Sequence, residues 1–114
     1  GVDLAGSQSL SLVVLVGDGT VSFGEVFAGI LQDLSRATII GSQTNGNTEL
    51  MRVFDFSDGS RAWIATAAFR PYLHPDQDWE ATGIIPDIPA AGNWDETTFN
   101  TDPVIQAALK FFGG

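Results

Sequence analysis

The residue best placed to do chemistry is Ser22, which stands in a glycine-rich turn between an apolar run and a segment of helical periodicity. A serine at the mouth of a helix presents its hydroxyl beside backbone N–H groups that the helix leaves free, and such groups can stabilise an oxyanion. The N–H of Phe23 would be the donor, and Gly24 lets the backbone pass closely. This pattern indicates nucleophilic catalysis, but a serine in this place is also an ordinary helix cap.

Other kinds of chemistry are limited by one histidine and no cysteine. The absence of cysteine excludes disulfides, thiol catalysis and Cys-ligated zinc. One histidine is too few for a His-based metal site unless carboxylates help. The sequence thus implies no metal site, and serine-based chemistry implies no cofactor. His74 is the only internal candidate for a general base, although a lone loop histidine is more often a surface residue.

The overall composition favours one acidic globular domain over residues 1–114. Fourteen Asp and Glu against five Lys and Arg give a net charge of −9, which disfavours nucleic-acid binding. Apolar residues make up 44% of the chain, enough for a core. No run of 18 apolar residues predicts a membrane span, and residues 1–9 do not read as a secretion signal.

The sequence around Ser22 predicts a strand, a helix and a second strand, which together position this residue. The apolar run Leu10–Val16 predicts a strand buried on both faces. Apolar residues recur at helical spacing over 23–34, and 37–40 is a second short buried strand. These elements form a βαβ unit, so the fold class is α/β with a mostly parallel sheet.

Beyond this unit the pattern predicts a hairpin and a final helix. Asp58-Gly59 is a strong turn signal between two strand-like runs. Residues 70–82 read as an irregular loop, and Asp102 can cap a helix that begins at Pro103. The predicted elements are strands over 50–56 and 61–69 and a C-terminal helix over 104–112.

The order of these motifs resembles that of the C-terminal processing peptidases, also called tail-specific proteases. The matching segments are LVVLV at 12–16, TVSFGE at 20–25, QD at 32–33, Arg36, ATIIG at 37–41, SDGS at 57–60, GIIPD at 83–87 and the helix that begins at Asp102-Pro103. The resemblance places Ser22 on the family's nucleophile. It implies a partial crotonase-like (ClpP/crotonase) domain, with an upstream half that is not among these residues.

Two departures from the family pattern exclude its usual Ser–Lys mechanism. Asn47 occupies the position of the family's general-base lysine, and Met51 occupies that of a supporting glutamine. An amide has no basic nitrogen and cannot accept the serine proton.

A second branch, which resembles tricorn protease, uses serine with a histidine and a carboxylate. In that branch the carboxylate precedes a Gly-x-x-Pro-Asp segment, and Glu80 stands in that place here. The resemblance implies that Glu80 orients a histidine supplied from upstream, with Ser22 and Glu80 on one rim of the sheet. Without that histidine, Glu80 is expected to be solvated or paired with a stray cation. The alternative interpretation is that Glu80 is an ordinary solvent-exposed carboxylate in a loop.

The function expected is therefore a serine-type endopeptidase that acts on peptides or proteins but is inactive as this isolated chain. The expected partners are the substrate, the upstream half of the domain and further copies of the chain. The resemblance favours an extracytoplasmic location and leaves a cytoplasmic one open. Two alternatives remain: a non-catalytic binding or scaffold module, and a crotonase-type enzyme acting on a thioester.

Overall fold

The computed structural model describes residues 6–93 and 95–113, which form five strands and three helices. The elements in chain order are β1 (Val13–Val16), α1 (Phe23–Asp33), β2 (Thr38–Gly41), β3 (Glu49–Asp55), β4 (Arg61–Ala68), α2 (Trp79–Thr82), β5 (Ile88–Pro89) and α3 (Pro103–Phe111). The predicted α/β class is confirmed.

The predicted βαβ unit forms a parallel sheet in the order β1-β2-β5. Val13 pairs with Thr38, and the register continues to Val16 opposite Gly41. β5 adds two residues on the far side of β2. Asp87 fixes this last strand, since its carboxylate accepts hydrogen bonds from the N–H of Ile39 at 2.7 Å and from Gln32 at 2.9 Å. Asp87 therefore has a structural role, tying β5 and α1 to β2.

The prediction that the first strand is buried on both faces is wrong. Only Val13–Val16 is a strand, and β1 lies at the edge of the sheet. Leu15 is 44% exposed, and Val13 and Val14 are half-buried. The β-branched run is as apolar as that of a central strand, but no described element lies beyond β1.

β3 and β4 form a separate antiparallel hairpin. Its turn is closed by Asp58, which accepts hydrogen bonds from the N–H and the hydroxyl of Ser60. The hairpin leaves large apolar side chains such as Trp63 and Ile64 exposed, at 60% and 49%. The predicted hairpin is confirmed, but it is not continuous with the parallel sheet.

The core lies between α1, the parallel sheet and the chain around α2. It consists of Val16, Ala28, Ile39, Trp79 and Ile84. Gly29 permits this close packing, because a Cβ there would lie 2.8 Å from Ile84 and Trp79. Trp79 is 3% exposed, so it is a packing residue of this core.

One predicted connection contains a helix that was not expected, and the final helix begins where it is predicted. The loop over 70–82 is not wholly irregular, because Asp78 caps the one-turn helix α2 by accepting from Glu80 and Ala81 N–H. The final helix begins at Pro103 with Asp102 as its cap, as predicted. α3 packs against β1 and β2.

One face of α1 carries an exposed apolar stripe that continues to its C-cap. Phe23, Phe27, Ile30 and Leu34 follow helical spacing, and they are 67%, 59%, 44% and 55% exposed. The radius of gyration is 17.3 Å, against roughly 13 Å for a compact domain of this length. The chain thus leaves much apolar surface uncovered. Among the described residues, no helix is long and apolar enough to cross a membrane.

Candidate active site

Ser22 is the N-cap of α1, at the junction of strand and helix where the sequence predicts it. Its backbone has φ 57° and ψ −128°, in a region that residues with a side chain rarely adopt. A serine held in such a conformation costs about 1–3 kcal/mol, and such strain clusters at active sites. Ser22 is also exposed. Its geometry therefore matches a strained strand-to-helix turn that presents a nucleophile.

The strained turn is held by the carboxylate of Glu25, which is fully buried. One of its oxygens accepts the N–H of Ser22 at 3.1 Å and the N–H of Asn47 at 2.8 Å. The other accepts the Thr44 hydroxyl at 2.6 Å and the Gly46 N–H at 2.7 Å. A single side chain therefore ties the turn at Ser22 to the loop after β2.

The N–H of Phe23 remains available as an oxyanion donor. The N–H groups of Gly24, Glu25 and Val26 bond to the carbonyls of Val21 or Ser22. Within the described part of the chain, no acceptor is found for the N–H of Phe23. The Phe23 ring meets Phe69 edge-to-face, with the ring centroids 6.0 Å apart. This arrangement leaves one donor beside Ser22.

The loop over 44–48 is fastened on its other side to the segment around α2. Thr44 is buried, and its hydroxyl accepts the N–H of Ile84 at 2.7 Å. Gly46 and Gly83 both have positive φ, and a Cβ on either would lie within 3 Å of a backbone atom of the facing segment. Asn47 enters the network through its backbone N–H, which gives its side chain no role in this anchoring.

Glu80 holds the end of the same loop. One of its oxygens accepts the N–H of Thr48 at 2.6 Å and the Thr48 hydroxyl at 3.1 Å. The Thr48 N–H is the largest influence on the pKa of Glu80. It lowers this pKa, aided by the Thr48 hydroxyl and by Glu49, against an opposing effect of burial. The expectation that Glu80 is solvated or paired with a stray cation is wrong, because these loop donors occupy it.

Ser22 and Glu80 therefore flank one loop. Asn47, whose N–H binds the carboxylate next to Ser22, directly precedes Thr48, whose N–H binds Glu80. This places both predicted site residues around the same short segment, although they are 58 positions apart in the chain. The docking of 44–48 between α1 and α2 brings the segments that carry Ser22 and Glu80 to the two sides of this loop.

His74 lies elsewhere. Its Nδ1 is 2.8 Å from the carboxylate of Asp33, the last residue of α1. Ser22 caps the first residue of that helix, and 11 residues span about 16 Å. His74 is therefore at the wrong end of α1 to act as base for Ser22. The described residues hold no cluster of three or more potential metal ligands.

Two acidic residues matter more than the sequence indicated. Glu25 stands three positions after Ser22, the spacing of a capping box, and that signal was available. Glu49 begins β3 and lines a small cavity of about 10 Å³ beside Ser22. No sequence pattern marks Glu49, because it comes close to Ser22 only through the docking of the loop.

Comparisons with known proteins agree with this geometry. Residues 3–90 match peptidase family S41. A carboxyl-terminal-processing protease of Synechocystis is 37% identical over 106 residues, covering 90% of this chain and 24% of that protein. The chloroplastic carboxyl-terminal-processing peptidase 2 of Arabidopsis thaliana is 37% identical over 91 residues, covering 76% and 17%.

A solved structure gives the same result. The photosystem II D1 C-terminal processing protease superimposes with a TM-score of 0.68 at 34% identity. The match covers 82% of this chain and 24% of that one. The chain thus spans about a quarter or less of the length of these relatives.

Proposed function

Because the chain belongs to peptidase family S41, we propose that it carries the nucleophile of a serine endopeptidase that cleaves peptides or proteins through an acyl-enzyme. The observation that carries this proposal is the backbone of Ser22, held at φ 57° at a helix N-terminus by the buried Glu25. An ordinary capping serine has no need of a strained backbone.

The proposed chemistry assigns a role to each part of the turn. The Ser22 hydroxyl oxygen attacks the scissile carbonyl, and its proton passes to a general base. The oxyanion that forms accepts the N–H of Phe23. Collapse of the tetrahedral intermediate expels the amine, which takes the proton back, and water then hydrolyses the ester.

The base must come from outside the described residues. Asn47 has no basic nitrogen, and His74 is bound to Asp33 at the far end of α1. We assign the base to a histidine of the remaining part of the catalytic domain, as in the tricorn-like branch, and we assign to Glu80 the role of the carboxylate that orients this histidine. The same part of the domain would cover the edge of β1 and the apolar stripe of α1, which are both exposed.

A second candidate is a non-catalytic module that keeps the fold. It is favoured by one observation, the asparagine where the family has its lysine. A fluorophosphonate probe separates the two, because it reacts only with an activated serine. We expect the complete protein to be labelled and Ser22→Ala to abolish labelling. Absence of labelling in the complete, folded protein would make the non-catalytic module the better answer.

The chain of 114 residues alone should show no measurable peptidase activity. It lacks the base, and a site without its base keeps only about 10³–10⁴-fold over the uncatalysed reaction. Robust peptide cleavage by the isolated chain, lost in Ser22→Ala, would contradict the assignment of the base to another part of the domain.

A further inference from the structure

A groove, called here the rim groove, runs along the carboxyl ends of the three parallel strands. It consists of two hollows, of about 430 and about 380 Å³, and Ser42 borders both of them. The first hollow lies beyond the end of β1, beside the turn that leads to Ser22. The second lies beyond the ends of β2 and β5. Ligands of open α/β sheets bind outside the carboxyl ends of the strands, so the rim groove is the expected place for one.

The second hollow is apolar, although the chain as a whole is acidic. Its walls come from 41–43, 85–86 and 89–91, and none of these residues is charged, whereas the whole chain carries a net charge of −9. Ile85 is 61% exposed in this wall. An apolar side chain that covers such a surface removes it from water, which is favourable, whereas a charged one would lose its hydration. The second hollow therefore fits an apolar side chain.

The second hollow also offers backbone hydrogen-bond donors. The pairing of β2 with β5 continues to the N–H of Ala90, which donates to the carbonyl of Gly41 at 2.9 Å. Beyond this bond, the N–H groups of Gln43 and Ala91 find no acceptor among the residues that the structure describes. Free N–H groups at the end of a strand can bind an extended peptide through its carbonyls. One ligand can thus make both a backbone contact and a side-chain contact here.

The second hollow lies within reach of a peptide held at Ser22. Thr20, which borders the first hollow, is two residues before Ser22, so their Cα atoms are at most about 7 Å apart. The second hollow is one strand further along the edge of the sheet, and neighbouring strands are about 4.8 Å apart. It is thus roughly 10 Å from Ser22, a distance that an extended peptide covers in about three residues.

We propose that the rim groove binds the peptide substrate, and that its second hollow selects an apolar side chain about three residues from the scissile bond. This inference rests on the proposed peptidase function and adds a specificity-determining site to it. The selected side chain would cover Ile85 and Ala91, while the N–H of Gln43 donates to the peptide backbone. The second hollow shares no residue with β1 or with the apolar stripe of α1, which we assign to the contact with the remaining part of the domain.

The test uses the complete peptidase and a series of peptides that differ at one position. Leu or Asp is placed in turn at each residue on either side of the scissile bond, and kcat/KM is measured. At one position, about three residues from the bond, Leu should exceed Asp by about 10–100-fold, the equivalent of burying one apolar side chain. Since this contact is the same in the bound substrate and in the transition state, the gain should lie in KM and leave kcat within a fewfold.

Two variants of Ala91 show whether the second hollow causes this preference. Ala91 is exposed, so Ala91→Asp places a charge in the wall without burying it in the free protein. This variant should reduce the advantage of Leu to within about threefold, because the apolar side chain would then desolvate a carboxylate. Ala91→Ser, the uncharged control of similar size, should keep the advantage. Labelling of Ser22 by a small fluorophosphonate should stay within about twofold in both variants, since the probe does not extend to this hollow.

Three results would overturn the inference, and they differ in what they leave standing. If wild type is labelled but prefers Leu only at the residues that flank the scissile bond, the second hollow is not a subsite and the proposed function stands. If Ala91→Asp keeps the full preference, the hollow is likewise excluded, and a lower melting temperature of this variant would show that the rest of the domain fills it. If the complete wild-type protein is not labelled at all, the proposed function fails and the subsite fails with it.

Discussion

The imidazole of His74 is bound at 2.8 Å to the carboxylate of Asp33, at the end of α1 opposite to Ser22. Asp33 is buried, and it also accepts the N–H groups of Tyr72 and Leu73 at 2.8 and 3.0 Å. This carboxylate fastens the chain that leaves the hairpin onto the helix. The only histidine of the sequence thus has a structural task.

His74→Ala should therefore leave the chemistry of Ser22 intact. In the complete peptidase, we expect the rate of fluorophosphonate labelling to stay within about twofold of wild type, since loss of a true base lowers kcat about 10⁶-fold. Ser22→Ala provides the unlabelled reference. A loss of several hundredfold in His74→Ala would identify His74 as the base and contradict its separation from Ser22 by the length of α1.

Asp33→Asn should destabilise the fold in a pH-dependent manner. Burial alone raises the pKa of Asp33, but hydrogen bonds from Leu73, His74 and Tyr72 outweigh burial and lower this pKa below its ordinary value. A lowered folded-state pKa means that the stabilisation is full above about pH 4 and is lost as the pH falls through the folded value. At pH 7 the melting temperature of the wild-type protein should exceed that of Asp33→Asn by several degrees. This difference in melting temperature should disappear at acidic pH.

The control for this comparison is Asp76→Asn, at an exposed acid two residues after His74. Its melting temperature should follow that of wild type at every pH. A gap between wild type and Asp33→Asn that is the same at pH 7 and in strong acid would mean that the charge of Asp33 has no part in the stabilisation.

Glu25→Gln should loosen both the turn at Ser22 and the loop after β2. The amide keeps one acceptor oxygen but turns its NH₂ group towards N–H donors that then lose their partner. Buried groups left without partners cost about 1–3 kcal/mol each, so we expect the free energy of unfolding to fall by about 2–4 kcal/mol. Chemical denaturation measures this loss, and Ser22 labelling should slow in parallel.

Asn47→Ala is the matched control for Glu25→Gln. It keeps the backbone N–H that Glu25 accepts, so stability and labelling should change little. A large loss of kcat in Asn47→Ala would show instead that the Asn47 side chain takes part in the reaction.

Gly83→Ala should detach the loop from α2. Gly83 and Gly59 both have positive φ, at 66° and 87°, so an alanine strains the backbone at either position. Only at Gly83 would the new Cβ collide, at 2.3 Å from the Thr44 carbonyl oxygen, whereas open space surrounds Gly59. We expect Gly59→Ala to cost about 1–2 kcal/mol and Gly83→Ala clearly more, with slower Ser22 labelling in Gly83→Ala alone. Equal effects of the two variants would mean that the contact with Thr44 does not hold the loop.

Local patterns were sufficient where one segment determines its own structure. The helix that follows Ser22, the turn at Asp58-Gly59 and the cap at Asp102 depend on neighbours within a few residues, and each lies where the sequence predicts it. The one-turn helix α2 was not predicted, because four residues are too few to show a helical period.

Contacts between segments that are distant in the sequence could not be predicted from such local patterns. Whether β1 is a central or an edge strand depends on what lies beside it, and its composition is the same in both cases. The occupation of Glu80 depends on how residues 44–48 dock against α2. No periodicity within one segment records such docking.

The single carboxylate of Glu25 also makes the nucleophile turn and the loop after β2 one unit in their dynamics. The N–H groups of Ser22, Gly46 and Asn47 all donate hydrogen bonds to it. These amides exchange with solvent when the carboxylate moves away and the hydrogen bonds break, and one such opening exposes all three amides. Their hydrogens should therefore exchange with deuterium at one common rate, although Ser22 is separated from the other two by more than twenty residues of sequence.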